Sequence, residues 1–184
     1  MRLFIGIPLA LEMIDALERL AQRLCSADDG LRWNSPESRH ITLQFLGETS
    51  DKTCECLVAR LKAVKSPGVP VLIDGTDFFD RAGVFYASVN VSPPLLQLEE
   101  RVLAATSQCG FIGEHRPFRP HVTLARAKGE NRMQTLRRLK AQVGPNVQFT
   151  AFMATEFRLY QAFLGPAGSR YEVRERFALC ETDV

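Results

Sequence analysis

The sequence predicts an α+β fold of two pseudo-symmetric lobes, each an antiparallel sheet with helices on its outer face. Three observations carry that prediction. Segments in which apolar residues alternate one by one give way, at Gly and Pro, to segments with apolar residues at i, i+3, i+4 and i+7. Sliding the chain by 81 residues lays His40 on His121, Ser50 on Asn131, Phe4 on Phe85 and the first helical pattern on the third. Further strand-like segments close the chain after the last helical pattern. Residues 1–184 therefore read as one two-lobed domain, a pseudo-repeat of about 1–80 and 82–161 whose lobes interleave if terminal strands cross over.

Residues 2–7 form a buried first strand, and Pro8 leads into a helix that turns Ile14, Leu17, Ala21 and Leu24 inward. Gly30 stops it. Leu31 and Trp33 begin an extended segment, and Pro36 turns the chain before a strand opened by His40. Ser50 caps a second helix carrying Cys54, Leu57, Val58 and Leu61, which Pro67 and Gly68 end. Strands are predicted at 69–73 and 84–91, separated by a turn region containing Gly and Asp. Ser92-Pro93-Pro94 starts a third helix with Leu95, Leu98, Val102 and Ala105 inward. After Gly110-Phe111 and a proline-containing turn, His121 opens a strand. A fourth helix runs from about Asn131, with Met133, Leu136 and Val143 inward, to Gly144-Pro145. Closing strands are predicted at about 147–152, 157–163 and 171–179, the last two flanking Gly165-Pro166-Ala167-Gly168.

Composition narrows the function classes. With 46% hydrophobic residues in 184, the chain buries a core without needing disulfides or metals. Lys plus Arg number 23 against 21 Asp plus Glu, so the chain does not coat nucleic acid by bulk charge and any polyanion contact is local. The five cysteines are an odd count, and Cys54 and Cys56 are two apart rather than in C-x-x-C spacing, so they read as free cytosolic thiols. The apolar start at 3–11 follows a single Arg2 and precedes no small-x-small cleavage site, which favours a buried strand over a signal core. No apolar run approaches the roughly 20 residues that span a bilayer. A soluble, cytoplasmic protein is expected.

The repeat carries one pattern twice, His40-Ile41-Thr42-Leu43 and His121-Val122-Thr123-Leu124, and only His115 lies outside it. One such histidine would read as an ordinary half-buried strand residue. Two copies with Thr at +2 and Leu at +3 have a chance of roughly 10⁻⁴, which favours function over packing. On a strand, His40 and Thr42 share a face while Ile41, Leu43 and Phe45 turn to the core, and Val122 and Leu124 do so in the second copy. Lobes related by a pseudo-two-fold axis would bring both His-Thr faces to a central cleft. Two imidazoles suit a displacement in which water loses a proton on one side while an alkoxide gains one on the other. Two hydroxyls can donate to the non-bridging oxygens of a phosphoryl group as charge gathers there. A nucleophile elbow is missing, and no carboxylate or Cys sits at ligand spacing to either histidine, so neither a covalent intermediate nor a metal or other cofactor is expected.

Between His115 and Lys140, Arg116, Arg119, Arg126, Lys128, Arg132, Arg137, Arg138 and Lys140 face the single acid Glu130, a local polyanion contact or, on the fourth helix, a solvated face. Arg126, at the mouth of the second motif, can grip phosphate oxygens bidentately. Trp33 and Phe118 have ring faces on which a base could stack, although core packing is the commoner role of such residues.

Three segments carry a family resemblance: Arg2-Leu3-Phe4-Ile5, His40-Ile41-Thr42-Leu43-Gln44-Phe45-Leu46-Gly47, and Arg116-Pro117-Phe118-Arg119-Pro120-His121-Val122-Thr123-Leu124-Ala125-Arg126. Through them, over nearly its whole length, the chain resembles the two-histidine (2H) phosphoesterases, and within them the bacterial RNA 2′,3′-cyclic phosphodiesterases, also called 2′-5′ RNA ligase-like proteins. The resemblance implies a bilobal α+β fold, no metal, and conversion of a terminal cyclic phosphate on RNA or oligonucleotide ends to a 2′-phosphomonoester. It implies His40, Thr42, His121 and Thr123 as active-site residues and Arg126 as a phosphate contact. His40 would then protonate the departing 3′ oxygen and His121 would activate water, although a pseudo-symmetric site reads either way. Glu37-Ser38-Arg39 stands where many relatives have an Asn-containing turn, which bears on substrate range.

The alternatives are a relative acting on small cyclic nucleotides, a ligase forming 2′-5′ bonds by the reverse displacement, and a non-catalytic module that binds RNA ends. No obligate protein partner is implied, and a monomer is expected.

Overall fold

The computed structural model describes residues 1–26, 30–113, 116–127, 129, 131–144, 147, 149–165 and 168–179. His115, Lys128, Glu130, Pro145, Pro166, Ala167 and Cys180 lie outside the described residues. In chain order the elements are β1 (Arg2–Pro8), α1 (Leu11–Leu24), β2 (Leu31–Trp33), β3 (His40–Glu48), α2 (Asp51–Lys62), β4 (Val69–Val71), β5 (Ile73–Phe79), β6 (Val84–Val89), α3 (Pro93–Ser107), β7 (His121–Ala127), α4 (Arg132–Val143), β8 (Phe152–Ala154), β9 (Glu156–Gly165) and β10 (Gly168–Ala178). A short 3₁₀ turn at Pro36–Ser38 joins β2 to β3.

Two four-stranded antiparallel sheets dominate, ordered β10-β9-β1-β3 and β2-β7-β6-β5, with β4-β8 as a separate small pair. The sheets interleave along the chain. β2 leaves its sequence neighbours to edge the second sheet, and β9 and β10 return to complete the first. α2 and α3 pack on each other behind the first sheet, with α3 against β3 and α2 against β10, while α4 packs on β5, β7 and α1 behind the second. Ser50 and Ser92 accept hydrogen bonds from the backbone N–H groups of Thr53 and Leu95, so α2 and α3 begin at side-chain caps worth about 1 kcal/mol each. Leu57, Leu61, Leu95 and Leu98 are fully buried, at roughly 1.5–3 kcal/mol apiece.

Several sequence expectations need correction. The turn region between the strands predicted at 69–73 and 84–91 is itself a strand, β5, paired with β6; Gly75, at φ 152°, absorbs a register shift there. The strand expected at 147–152 begins only at Phe152 and pairs with β4. α4 buries Leu136 and Leu139 rather than Met133 and Val143, which are half-buried. The cysteines are not all free. Cys56 on α2 and Cys109 just beyond α3 form a disulfide across a sequence separation of 53, because the two helices lie side by side. Local spacing rules have no view of such a pair. Cys25 and Cys54 remain free. Among the described residues no helix is long and apolar enough to cross a membrane.

Candidate active site

The two motif strands share one irregularity. In the pairing of β3 with β1, Thr42 faces Gly6 and Gln44 faces Ile5, so Leu43 is an extra residue. In the pairing of β7 with β6, Thr123 faces Tyr86 and Ala125 faces Phe85, so Leu124 is extra. Each is a β-bulge, and a bulge reverses which face the following residues occupy. Simple alternation would have turned Phe45 and Arg126 toward the core. Instead Gln44 and Ala125 are buried, and Phe45 is 63% exposed on the face that carries His40 and Thr42. Arg126 emerges, exposed, on the face of His121 and Thr123. The expectation that Phe45 points inward therefore fails because of the bulge.

Both histidines are held the same way. His40 Nδ1 lies 2.8 Å from the Ser38 carbonyl oxygen, and His121 Nδ1 lies 2.7 Å from that of Arg119. A carbonyl only accepts, so Nδ1 carries the proton and Nε2 is left to exchange protons with a ligand. Aromatic rings enclose each imidazole. Phe4 stacks on His40 at 4.5 Å between centroids and Tyr171 meets it edge-on at 5.1 Å. Phe79 and Tyr86 approach His121 at 5.0 and 5.1 Å.

This packing sets the electrostatics. Burial holds the His40 pKa down to about 4, with the nearby charge of His121 pushing the same way against the Ser38 carbonyl. Burial likewise holds His121 below its usual range, reinforced by the positive charge of Arg126 and opposed by the Arg119 carbonyl. The two imidazoles thus sense one another, and β3 lies beside β7. At neutral pH in the absence of ligand both are uncharged. A bound anion would favour protonation of either, which equips the pair to hold one proton between them.

Buried contacts fix the positions. Arg39, 4% exposed, donates to Glu18 Oε2 at 2.5 Å and to the carbonyls of Ile14 and Asn34, tying the residue before His40 to α1 and to the segment leaving β2. Gly6, opposite Thr42, leaves room that no other residue would: a Cβ there would sit 2.7 Å from the Ile41 carbonyl oxygen and 3.4 Å from His40 Cδ2. Behind β3, Thr106 of α3 donates to Gln44 Oε1 at 2.8 Å.

The basic stretch divides. Lys140 is engaged by Asp77 at 2.6 Å, and Arg132, Arg137 and Arg138 are exposed on α4, which covers the core face of the second sheet. They form a solvated face away from the motif residues. Trp33 meets the buried Phe85 edge-on and Phe118 packs against the core. Residues the sequence reading missed are Phe45, Tyr171, Phe79 and Tyr86, whose position depends on bulges and cross-strand partners. Among the described residues, no three His, Cys, Asp or Glu side chains gather where a metal ion could be held.

Comparison with known proteins agrees with this architecture. The sequence matches the 2′-5′ RNA ligase superfamily over residues 8–161. It is 28% identical over 164 residues to an RNA 2′,3′-cyclic phosphodiesterase of Aeropyrum pernix, covering 87% of this chain and 93% of that one. The crystal structure of Escherichia coli LigT complexed with 3′-AMP superposes with a TM-score of 0.79 at 25% identity, over 98% of each chain. That of TT0787 from Thermus thermophilus superposes with a TM-score of 0.80 at 28% identity, over 99% of this chain and 100% of that one. With the family's match spanning most of the sequence and the fold shared end to end, the chain belongs to the 2′-5′ RNA ligase superfamily of 2H phosphoesterases.

Proposed function

We propose that this protein is an RNA 2′,3′-cyclic phosphodiesterase that opens terminal cyclic phosphates to 2′-phosphomonoesters without a metal. The observation that carries the reading is the matched pair of imidazoles, each with Nδ1 engaged by a carbonyl two residues back and Nε2 left for proton transfer. Water attacks phosphorus, the P–O3′ bond breaks, and the 3′ oxygen leaves as a hydroxyl. One imidazole takes the water's proton while the other supplies the leaving group's, with His121 as base and His40 as acid in the family's assignment. Because His40 holds a proton poorly when the site is empty, the phosphate's negative charge has to raise its affinity before it serves as the acid. Thr42 and Thr123 donate to the non-bridging oxygens, Arg126 neutralises charge from the second lobe, and Phe45 offers a platform for the terminal base. The reading carries with it a monomer acting on RNA ends in the cytoplasm.

The test is incubation of EDTA-treated protein with a short RNA ending in a 2′,3′-cyclic phosphate, separating 2′- from 3′-phosphate products. Formation of 2′-phosphate that is lost in both His40→Ala and His121→Ala is the expected result. Turnover surviving in either variant, or requiring added metal, would contradict the mechanism. Processing of small cyclic nucleotides alone would reassign the substrate.

A further inference from the structure

On the second sheet, β2 pairs with β7 so that Leu31 faces Ala127, Arg32 faces Arg126 and Trp33 faces Ala125. Residues directly opposite in an antiparallel pair project from the same face. Trp33 and Ala125 are on the core side, as the contact of Trp33 with buried Phe85 shows. Arg32 therefore shares with Arg126 the face that carries His121 and Thr123. Two guanidinium groups side by side across strands repel and destabilise the pairing. Among the described residues neither has a carboxylate partner, although Arg158, Arg170 and Arg176 elsewhere in the fold each have one. A ligand anion is what would turn this repulsion into binding, and two planar forks suit a phosphate oxygen pair.

Position decides which phosphate. Thr123 faces Tyr86 and Arg126 faces Val84, so with the bulge at Leu124 the two are separated by two ladder positions, roughly 7 Å along the strand at about 3.3 Å per residue, and Arg32 stands on the next strand, about 4.8 Å further to the side. The charge of Arg126 reaches His121, whose proton affinity it lowers. Arg32 is the outer member of the pair, on the edge strand. We infer that Arg32, beside Arg126, which also reaches the reacting phosphate, completes a second phosphate subsite that grips the phosphodiester 5′ to the terminal nucleotide. The protein would thereby select oligonucleotide ends over cyclic mononucleotides. Phe45, which occupies in β3 the place Arg126 holds in β7, puts an apolar surface on the opposite lobe, leaving the backbone to the arginine side.

This subsite rests on the cyclic-phosphate reading, so the experiment separates the two. Four probes are compared: a 2′,3′-cyclic mononucleotide, a dinucleotide with the same cyclic end, that dinucleotide with an uncharged methylphosphonate linkage, and a dinucleotide ending in 2′-phosphate for binding alone. In wild type the charged dinucleotide is preferred. Arg32→Ala lowers the ratio of kcat/KM for dinucleotide over mononucleotide about 10- to 100-fold, mostly through KM, and Arg32→Lys restores part of it. The methylphosphonate abolishes the difference between wild type and variant, and the salt dependence of binding the charged dinucleotide weakens in Arg32→Ala by about one counterion. An unchanged ratio in Arg32→Ala, or equal sensitivity of the methylphosphonate, overturns the subsite. Absence of turnover with every cyclic probe, together with Arg32-dependent binding of the 2′-phosphate dinucleotide, would instead remove the reaction and keep the subsite.

Discussion

Replacing His40 with glutamine should make the fold less sensitive to acid. The His40 pKa is about 4 in the folded protein, against about 6.5 in the unfolded chain. As pH falls, the unfolded state takes up this proton first, so stability is lost from about pH 6.5 downward and the loss is complete below about pH 4. The full loss is on the order of 3 kcal/mol, of which about 2 kcal/mol has developed by pH 5 and almost none at pH 7. The assay is urea unfolding of wild type and His40→Gln at pH 7, 6 and 5. Subtracting one from the other at each pH cancels the titration of carboxylates common to both. Whatever the substitution does at pH 7, the stability of the variant relative to wild type should rise by about 2 kcal/mol on going to pH 5. A difference flat across that range, within about 0.5 kcal/mol, would refute the claim that burial keeps this imidazole uncharged.

Other consequences follow from the same geometry. Since both imidazoles are held below their ordinary range, kcat/KM should trace a bell centred on the acid side of pH 6.5 and decline through neutrality; an optimum above pH 7 would contradict that placement. Gly6→Ala forces a Cβ against the Ile41 carbonyl and His40, and should cost about 10²-fold in kcat/KM; undiminished activity would show that β3 yields without moving His40. Phe45→Ala should raise KM for RNA ends with little change in kcat and none in thermal midpoint, and a large drop in the midpoint would return Phe45 to a packing role. Reduction should lower the urea midpoint, because the Cys56–Cys109 link closes a 53-residue separation worth up to about 4 kcal/mol in the chain-entropy model. Alkylation of both residues before any reductant is added would contradict the pairing.

Much of the site was legible in the sequence because a strand's period of two is written into residues 40–43 and 121–124. His and Thr at alternate positions fall on one face whatever the rest of the fold does. What lay two residues further on was not legible in the first motif, where Gln44-Phe45 continues the alternation past the bulge at Leu43; in the second motif the adjacent apolar pair Leu124-Ala125 does interrupt it. Simple alternation thus sends Phe45 to the core and gives no sign of Arg32, although Arg126 stands out through its planar fork. β5 was hidden by Asp74, Gly75 and Asp77, residues common in turns, which here are carried by pairing with β6. The disulfide depends on α2 meeting α3, a tertiary fact with no local trace.

The position of β1 bears on how the protein is made. It leaves the ribosome long before β9, yet β9 is one of its two neighbours, with Arg2 opposite Ala162. Until that partner has been synthesised, β1 exposes an unpaired, apolar edge, and Phe4, which supports His40, lacks its stacking neighbour Tyr160. Contacts closed over so much chain form slowly. The half of the site that β1 supports is therefore among the last to be assembled, and a nascent chain stalled before β9 would hold both histidines with His40 still unsupported.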